Sequence, residues 1–170
     1  SDYLKNSELN QKINLPENYN VYSTIINNLF DPNNFEGKNN KNYNLIFILK
    51  DIVKDDYCSY LENKDDDFAL NNELEYNFNI VLDYSIIDKA QEKDLFNEKH
   101  MCDWNIFYKN YPNAFGYIFF SKVRFNNSIT KAEVFVGYFI YTLSGKGYCI
   151  VLEKKEKEWK IIEQKIAWIS

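Results

Sequence analysis

Apolar residues recur along this chain with two different periods. Between Pro16 and the Asp31-Pro32 pair, Tyr22, Ile25, Ile26 and Leu29 fall at i, i+3, i+4 and i+7, the spacing that lines one face of a helix. A proline opens a helix at its first turn without losing a hydrogen bond, and a second one closes it. An amphipathic helix is therefore expected there. The polar run DPNNFEGKNNKN then reads as a loop, and Tyr43–Leu49 (YNLIFIL) as a short apolar strand.

Further on, Leu70, Leu74 and Phe78 lie four residues apart and predict the buried face of a second helix. Lys64–Asp67 (KDDD) would stand at its start, where the helix dipole favours negative charge. NIVLDYSII reads as another strand, and DKAQEKDLF as a short helix capped by Asp88. In DWNIFYKNYP, Trp104, Phe107, Tyr108 and Tyr111 again repeat at helical spacing, with Asp103 as cap and Pro112 as terminator. That aromatic stripe would suit a sugar-stacking platform, but a helix docking on a sheet uses the same pattern, and docking is the preferred reading.

From Gly116 the period changes. Four β-rich runs follow (GYIFFSKVRF, KAEVFVGYFIYT, GYCIVLEKK and EWKIIEQKIAWIS), joined by NNSIT, LSGK and EKE. Connections this short make hairpins, so the runs form an antiparallel meander. Alternation in the second run sets Ala132, Val134, Val136, Tyr138 and Ile140 on one face and Phe135, Phe139 and Tyr141 on the other. A sheet apolar on both sides is covered on one face and lined by a pocket on the other, or is strongly curved. The expected fold is one α+β domain over residues 16–170 behind a flexible leader, residues 1–15. Its N-terminal helices pack on a curved antiparallel sheet of about five strands that ends in the four-strand meander. Cystatin- and NTF2-like architectures share that outline, by analogy alone.

Composition narrows the function. Fourteen Tyr and thirteen Phe in 170 residues supply core and sheet. A pI near 5 and a single arginine, Arg124, argue against nucleic acid as a partner. No stretch has the roughly 18 apolar residues of a transmembrane helix. The chain starts at Ser1 without methionine, and two readings of its polar leader stand: a tether behind a lipid anchor in an exported precursor, or a trimmed terminus. Cys58, Cys102 and Cys149 have no zinc-ligand spacing. They leave open one disulfide with a free thiol, or three buried thiols. Charge is uneven: Asp51–Glu75 carries nine acids and two lysines, while Gly116–Ser170 has nine basic residues and five acids.

Candidate chemistry is sparse. Ser144–Gly147 (SGKG) lacks the spacing and the following helix of a phosphate loop, and reads as a hairpin turn whose glycines supply positive φ. His100, the one histidine, has no context that brings it to Cys102 as a nucleophilic pair. Asp65, Asp66 and Asp67 lack the alternation, glycine and glutamate of a calcium loop. No catalytic, metal-binding or cofactor-binding residue is assigned, and no cofactor is expected.

The stretch from Asp103 to Ser170 resembles a group of uncharacterised bacterial proteins. The matching positions are Tyr111-Pro112, Ser121, Val123, Phe125-Asn126, Ala132, Val134, Val136, Gly145, Gly147, Leu152–Lys155, Trp159 and Trp168–Ser170. The resemblance covers under half of the chain. It implies export from a bacterial cell, often with a lipid anchor, and no reaction.

Three functions follow as expectations. The first is a non-enzymatic extracytoplasmic protein, periplasmic or at the cell surface, that binds a protein or small ligand through Tyr138, Phe139 and Tyr141. The second is an immunity-type protein that masks the basic site of a toxin with Asp65–Asp67 and their acidic neighbours. The third is a carboxylate-dependent hydrolase, which needs two acids close together in a pocket.

Overall fold

The structure is a computed structural model that describes residues 16–35, 42–61, 73–75, 77–96, 103–141 and 144–170. Helix α1 spans Glu17–Leu29, and Tyr19, Val21, Tyr22, Ile25 and Ile26 are its buried apolar residues. Pro16 takes the cap position, one residue earlier than the first turn. The helix stops at Phe30, whose N–H still bonds the Ile26 carbonyl. Asp31 then accepts the Asn33 N–H at 2.9 Å, the local bond by which an aspartate turns a chain.

Strand β1, Leu45–Leu49, is buried at every position. Ile46 and Ile48 enter the core beneath α1. Leu45, Phe47 and Leu49 enter a second core with Phe96, Trp104 and Phe107. Those three residues belong to helices α2 (Lys89–Phe96) and α3 (Asp103–Asn110). An uninterrupted apolar strand is what a sheet covered on both faces requires. Asp88 caps α2 by a reciprocal pair: it accepts the Gln91 N–H at 2.9 Å, and Gln91 accepts the Asp88 N–H at 2.9 Å.

Strands β2 (Asp83–Ile87) and β3 (Ala114–Phe120) flank β1, both parallel to it. Beyond them β4 (Arg124–Phe125), β5 (Lys131–Tyr141), β6 (Ser144–Lys155) and β7 (Glu158–Ile169) pair antiparallel. The order is β2-β1-β3-β5-β6-β7, with β4 beside β5. The α+β class and the meander are as expected, but the sheet is mixed and seven-stranded, not antiparallel with about five strands. The crossover through α2 and α3 returns the chain parallel to β1, which a hairpin cannot do.

Two local expectations are corrected. Leu74 and Phe78 are buried, at 3% and 0% exposure, yet neither is helical. Partners distant in sequence satisfy this backbone instead: the Leu74 N–H donates to the Lys50 carbonyl, the Phe78 N–H to the Tyr84 hydroxyl and the Asn79 N–H to Ser23 Oγ. Ser144–Gly147 is not a turn but the first part of β6, already paired with β5. Gly145 and Gly147 have no positive φ; among the described residues Gly116 is the glycine that does, at 124°. The EKE connection does turn, with positive φ at Glu156 and Lys157. Leu70, residues 142–143 and the Asp103 side chain lie outside the described set. Among the described residues no helix is long and apolar enough to cross a membrane.

Candidate functional site

Pleating sends alternate residues of β5 to opposite faces. Phe135, Gly137 and Phe139 share the face away from α1, and Tyr141, beyond an irregularity at Ile140, meets Trp104 and Tyr108 on the same side. Across the sheet the register lines up Phe119 on β3, Gly137 on β5, Gly147 on β6 and Trp168 on β7. Two aromatic residues thus flank two glycines in one transverse row. The glycines are there for space. A Cβ on Gly137 would stand 2.3 Å from the Phe119 ring, and one on Gly147 would stand 2.3 Å from Trp168 Nε1. On the neighbouring row a Cβ on Gly145 would meet the Tyr138 carbonyl oxygen at 2.4 Å and the Phe139 ring at 2.7 Å. Each ring therefore lies over a position without a side chain. Phe139 stacks with Trp168 at 5.4 Å and 30°, and with Phe119 at 6.1 Å and 24°. All three are half-buried, so they form an aromatic floor open to solvent.

Order along β5 fixes what borders the floor. At one end Tyr141, 46% exposed, packs against Trp104 and Tyr108 of α3 at 6.0 and 5.3 Å. The Tyr108 hydroxyl sits 2.8 Å from the Ile140 carbonyl, and burial raises its pKa. At the other end Tyr57 stacks on Phe135 at 5.3 Å and 24°. Tyr57 belongs to the segment Val53–Leu61, which a disulfide from Cys58 to Cys149 ties to β6.

An ion cluster holds the same segment. Arg124 Nη2 donates to Glu133 Oε1 at 2.6 Å, to Asp55 Oδ2 at 3.2 Å and to the Cys58 carbonyl at 3.0 Å. Glu133 also accepts the backbone N–H groups of Tyr60 and Leu61 at 2.9 and 3.1 Å. Asp55 accepts those of Tyr57 and Cys58. The side chains of Arg124, Asp55 and Glu133 are 11%, 10% and 2% exposed. Buried charges survive when paired and hydrogen-bonded, as these are. Two acids do converge here, but on an arginine and on backbone donors, an arrangement that fastens a loop.

Of the sequence-predicted surface, Phe139 and Tyr141 lie on the aromatic face. Tyr138 points the other way, into the core under α1, beside a hollow of about 320 Å³ lined also by Phe35, Lys146, Tyr148 and Gln164. Burial and the adjacent Tyr148 raise its pKa. Asp65, Asp66 and Asp67 lie outside the described residues, as do His100 and Cys102. Sequence reasoning missed Phe119, Trp168 and Tyr57. A signal for the floor is present in the paired glycines Gly145 and Gly147, which lie under rings and have no positive φ. No family model, curated protein or solved structure matches this chain.

Proposed function

We propose that this protein is a non-enzymatic binding module, exported from a bacterial cell, that takes a protein segment or small ligand on its aromatic floor. The observation that carries this reading is the row Phe119–Gly137–Gly147–Trp168. Two strands give up side chains there, and the rings that fill the space keep one side in water. Exposed, contiguous aromatic surface is characteristic of contact sites. Tyr141 and Tyr57 at its borders add hydroxyls for orientation, and the disulfide and ion cluster hold one border rigid before any ligand arrives.

Export is supported by the Cys58–Cys149 disulfide, because such bonds persist in oxidising compartments. A periplasmic or cell-surface location, a lipid anchor in the precursor and a cystatin- or NTF2-like kinship belong to this proposal; the kinship rests on outline alone. The immunity-type reading is less favoured. Among the described acids of Asp51–Glu75, Asp55 is bound to Arg124, Asp51 to Lys89 and Glu73 to Lys50, which leaves less free charge to mask a basic site.

The test follows the indole N–H signal of Trp168 by NMR during titration with panels of oligosaccharides and of peptides. A ligand of the floor shifts this signal while that of the buried Trp159 stays in place, and Phe139→Ala weakens its binding at least tenfold. A ligand that binds the Phe139→Ala/Trp168→Ala protein as tightly as the wild type would show that the floor is not the site.

A further inference from the structure

Strand β7 forms one outer edge of the sheet, and among the described residues β6 is its one strand neighbour. It has twelve residues, none of them proline, and it exposes Ile162, Ile166 and Ile169 at 46%, 51% and 64%. An edge of this kind carries a row of unpaired N–H and C=O groups ready to bond another strand. Lysines on an edge ordinarily discourage that. Here they alternate with glutamates in a particular way.

The register sets Glu158, Lys160, Glu163 and Lys165 opposite Lys155, Glu153, Val151 and Cys149. These are alternate positions of β6, so all four charged residues share one face. Lys160 and Glu163 are three apart, which would normally put them on opposite faces. The irregularity between Ile161 and Glu163 inserts Ile162 and brings them to the same one. Along the strand the charges read minus, plus, minus, plus, and in reverse they read plus, minus, plus, minus. All four are exposed. Every ion pair of the described residues is made elsewhere.

We infer that the outer edge of β7 pairs antiparallel with the β7 edge of a second copy of this chain, about a two-fold axis normal to the sheet. Lys160 faces Glu163 of the second copy, and Glu158 faces its Lys165. In this register every one of the four charges meets an opposite charge directly across the strands, and Ile161 and Ile162 lie at the axis. Sliding by two residues in one direction sets Glu158 against Glu163; sliding the other way sets Lys160 against Lys165. Parallel in-register pairing sets each charge against itself. Like charges directly opposite destabilise a ladder, so the charges select one register. The Ile162 insertion makes that register compatible with the two-fold. Because opposed residues share a face, the two aromatic floors would open on the same side of one continuous sheet.

Sedimentation velocity on the full chain tests this with two edge variants, Lys160→Glu/Lys165→Glu and Glu158→Lys/Glu163→Lys. The wild type is expected to dimerise, and more weakly as salt rises. Each variant alone is expected to associate at least tenfold more weakly. The two mixed in equal amounts recover a dimer, since an all-acidic edge then meets an all-basic one. Circular dichroism checks that each variant is folded, and substitutions at exposed positions leave little reason for it not to be. A wild type that stays monomeric at several hundred micromolar overturns the inference. So does a dimer that persists in both variants separately, or a mixture that stays monomeric.

Discussion

Arg124 on β4 and Glu133 on β5 stand directly opposite each other in the sheet, joined by a 2.6 Å hydrogen bond. Their contact is almost wholly out of water. It organises more than itself, because Glu133 also receives the Tyr60 and Leu61 N–H groups. Arg124→Ala leaves two buried carboxylates, Glu133 and Asp55, without their cation and should cost about 3–5 kcal/mol. Glu133→Ala leaves Arg124 with Asp55 but strips the Tyr60 and Leu61 N–H groups of their acceptor, and should cost about 2 kcal/mol or more. Urea unfolding measures both. Replacing both by apolar residues, as in Arg124→Met/Glu133→Leu, often rescues a buried ion pair elsewhere. Here it should recover only part of the loss, since the Asp55 carboxylate loses its cation and two backbone donors remain without their acceptor. Full recovery would mean that the segment finds other partners.

The disulfide acts on the same segment by another route. Cys58 and Cys149 are 91 residues apart in sequence, so their link removes many conformations from the unfolded chain. The chain-entropy account gives about 4.6 kcal/mol for a loop of this length. Cys58→Ser/Cys149→Ser, or reductant, should lower the urea midpoint accordingly. Combined with Glu133→Ala, the loss should fall short of the sum, because both devices fasten Val53–Leu61 and the segment can be released only once. Strict additivity would separate the two roles.

Glycine substitutions distinguish space from conformation. In Gly147→Ala the new methyl meets the Trp168 ring, which is half-exposed and can swing outward, and the buried Phe135 ring at 2.8 Å, which has less room to move. The expected cost is about 1–3 kcal/mol, with a changed near-ultraviolet circular dichroism spectrum and a shifted Trp168 indole signal. Gly116→Ala meets backbone instead, with Phe139 O at 2.4 Å, at a φ of 124°. That should cost about 3 kcal/mol or more. If Gly147→Ala leaves the Trp168 signal unmoved, the ring does not rest on the glycine.

What could be read in advance was local. Helix α1 announced itself because Tyr22, Ile25, Ile26 and Leu29 carry the helical period within a few residues, and the meander because its strands alternate and its connections are short. The parallel partners of β1 were not legible, since parallel pairing is made across long crossovers and leaves no turn signature. Leu74 and Phe78 show the limit of periodicity: four-residue spacing can arise in a segment whose N–H groups are taken by Tyr84 and Ser23. The floor was half legible. Alternation placed Phe139 and Tyr141 together, but Trp168 reaches Gly147 only through the register of β6 with β7. Arg124 meets Asp55 across 69 residues, and nothing local to either announces it.

The anchoring of α1 depends on pH through Glu17. Glu17 Oε1, at the start of the helix, accepts hydrogen bonds from Lys154 Nζ at 2.5 Å and Trp159 Nε1 at 2.6 Å. Burial pushes the Glu17 carboxyl up, but the Lys154 and Trp159 hydrogen bonds and the Lys154 charge outweigh it, and the net pKa lies below its ordinary value of 4.5. A carboxyl with a lowered folded-state pKa binds protons more readily in the unfolded chain. Its contribution is therefore complete above the unfolded value and is lost as pH falls from there through the folded one. Glu17→Gln should destabilise the protein at neutral pH and matter progressively less in acid, so the gap between the two urea midpoints narrows below about pH 4.5. Trp159 fluorescence should follow the same course, because its indole loses a charged acceptor when Glu17 is protonated. A gap that stayed constant through this window would show that Glu17 holds α1 to the sheet by shape and neutral hydrogen bonding alone.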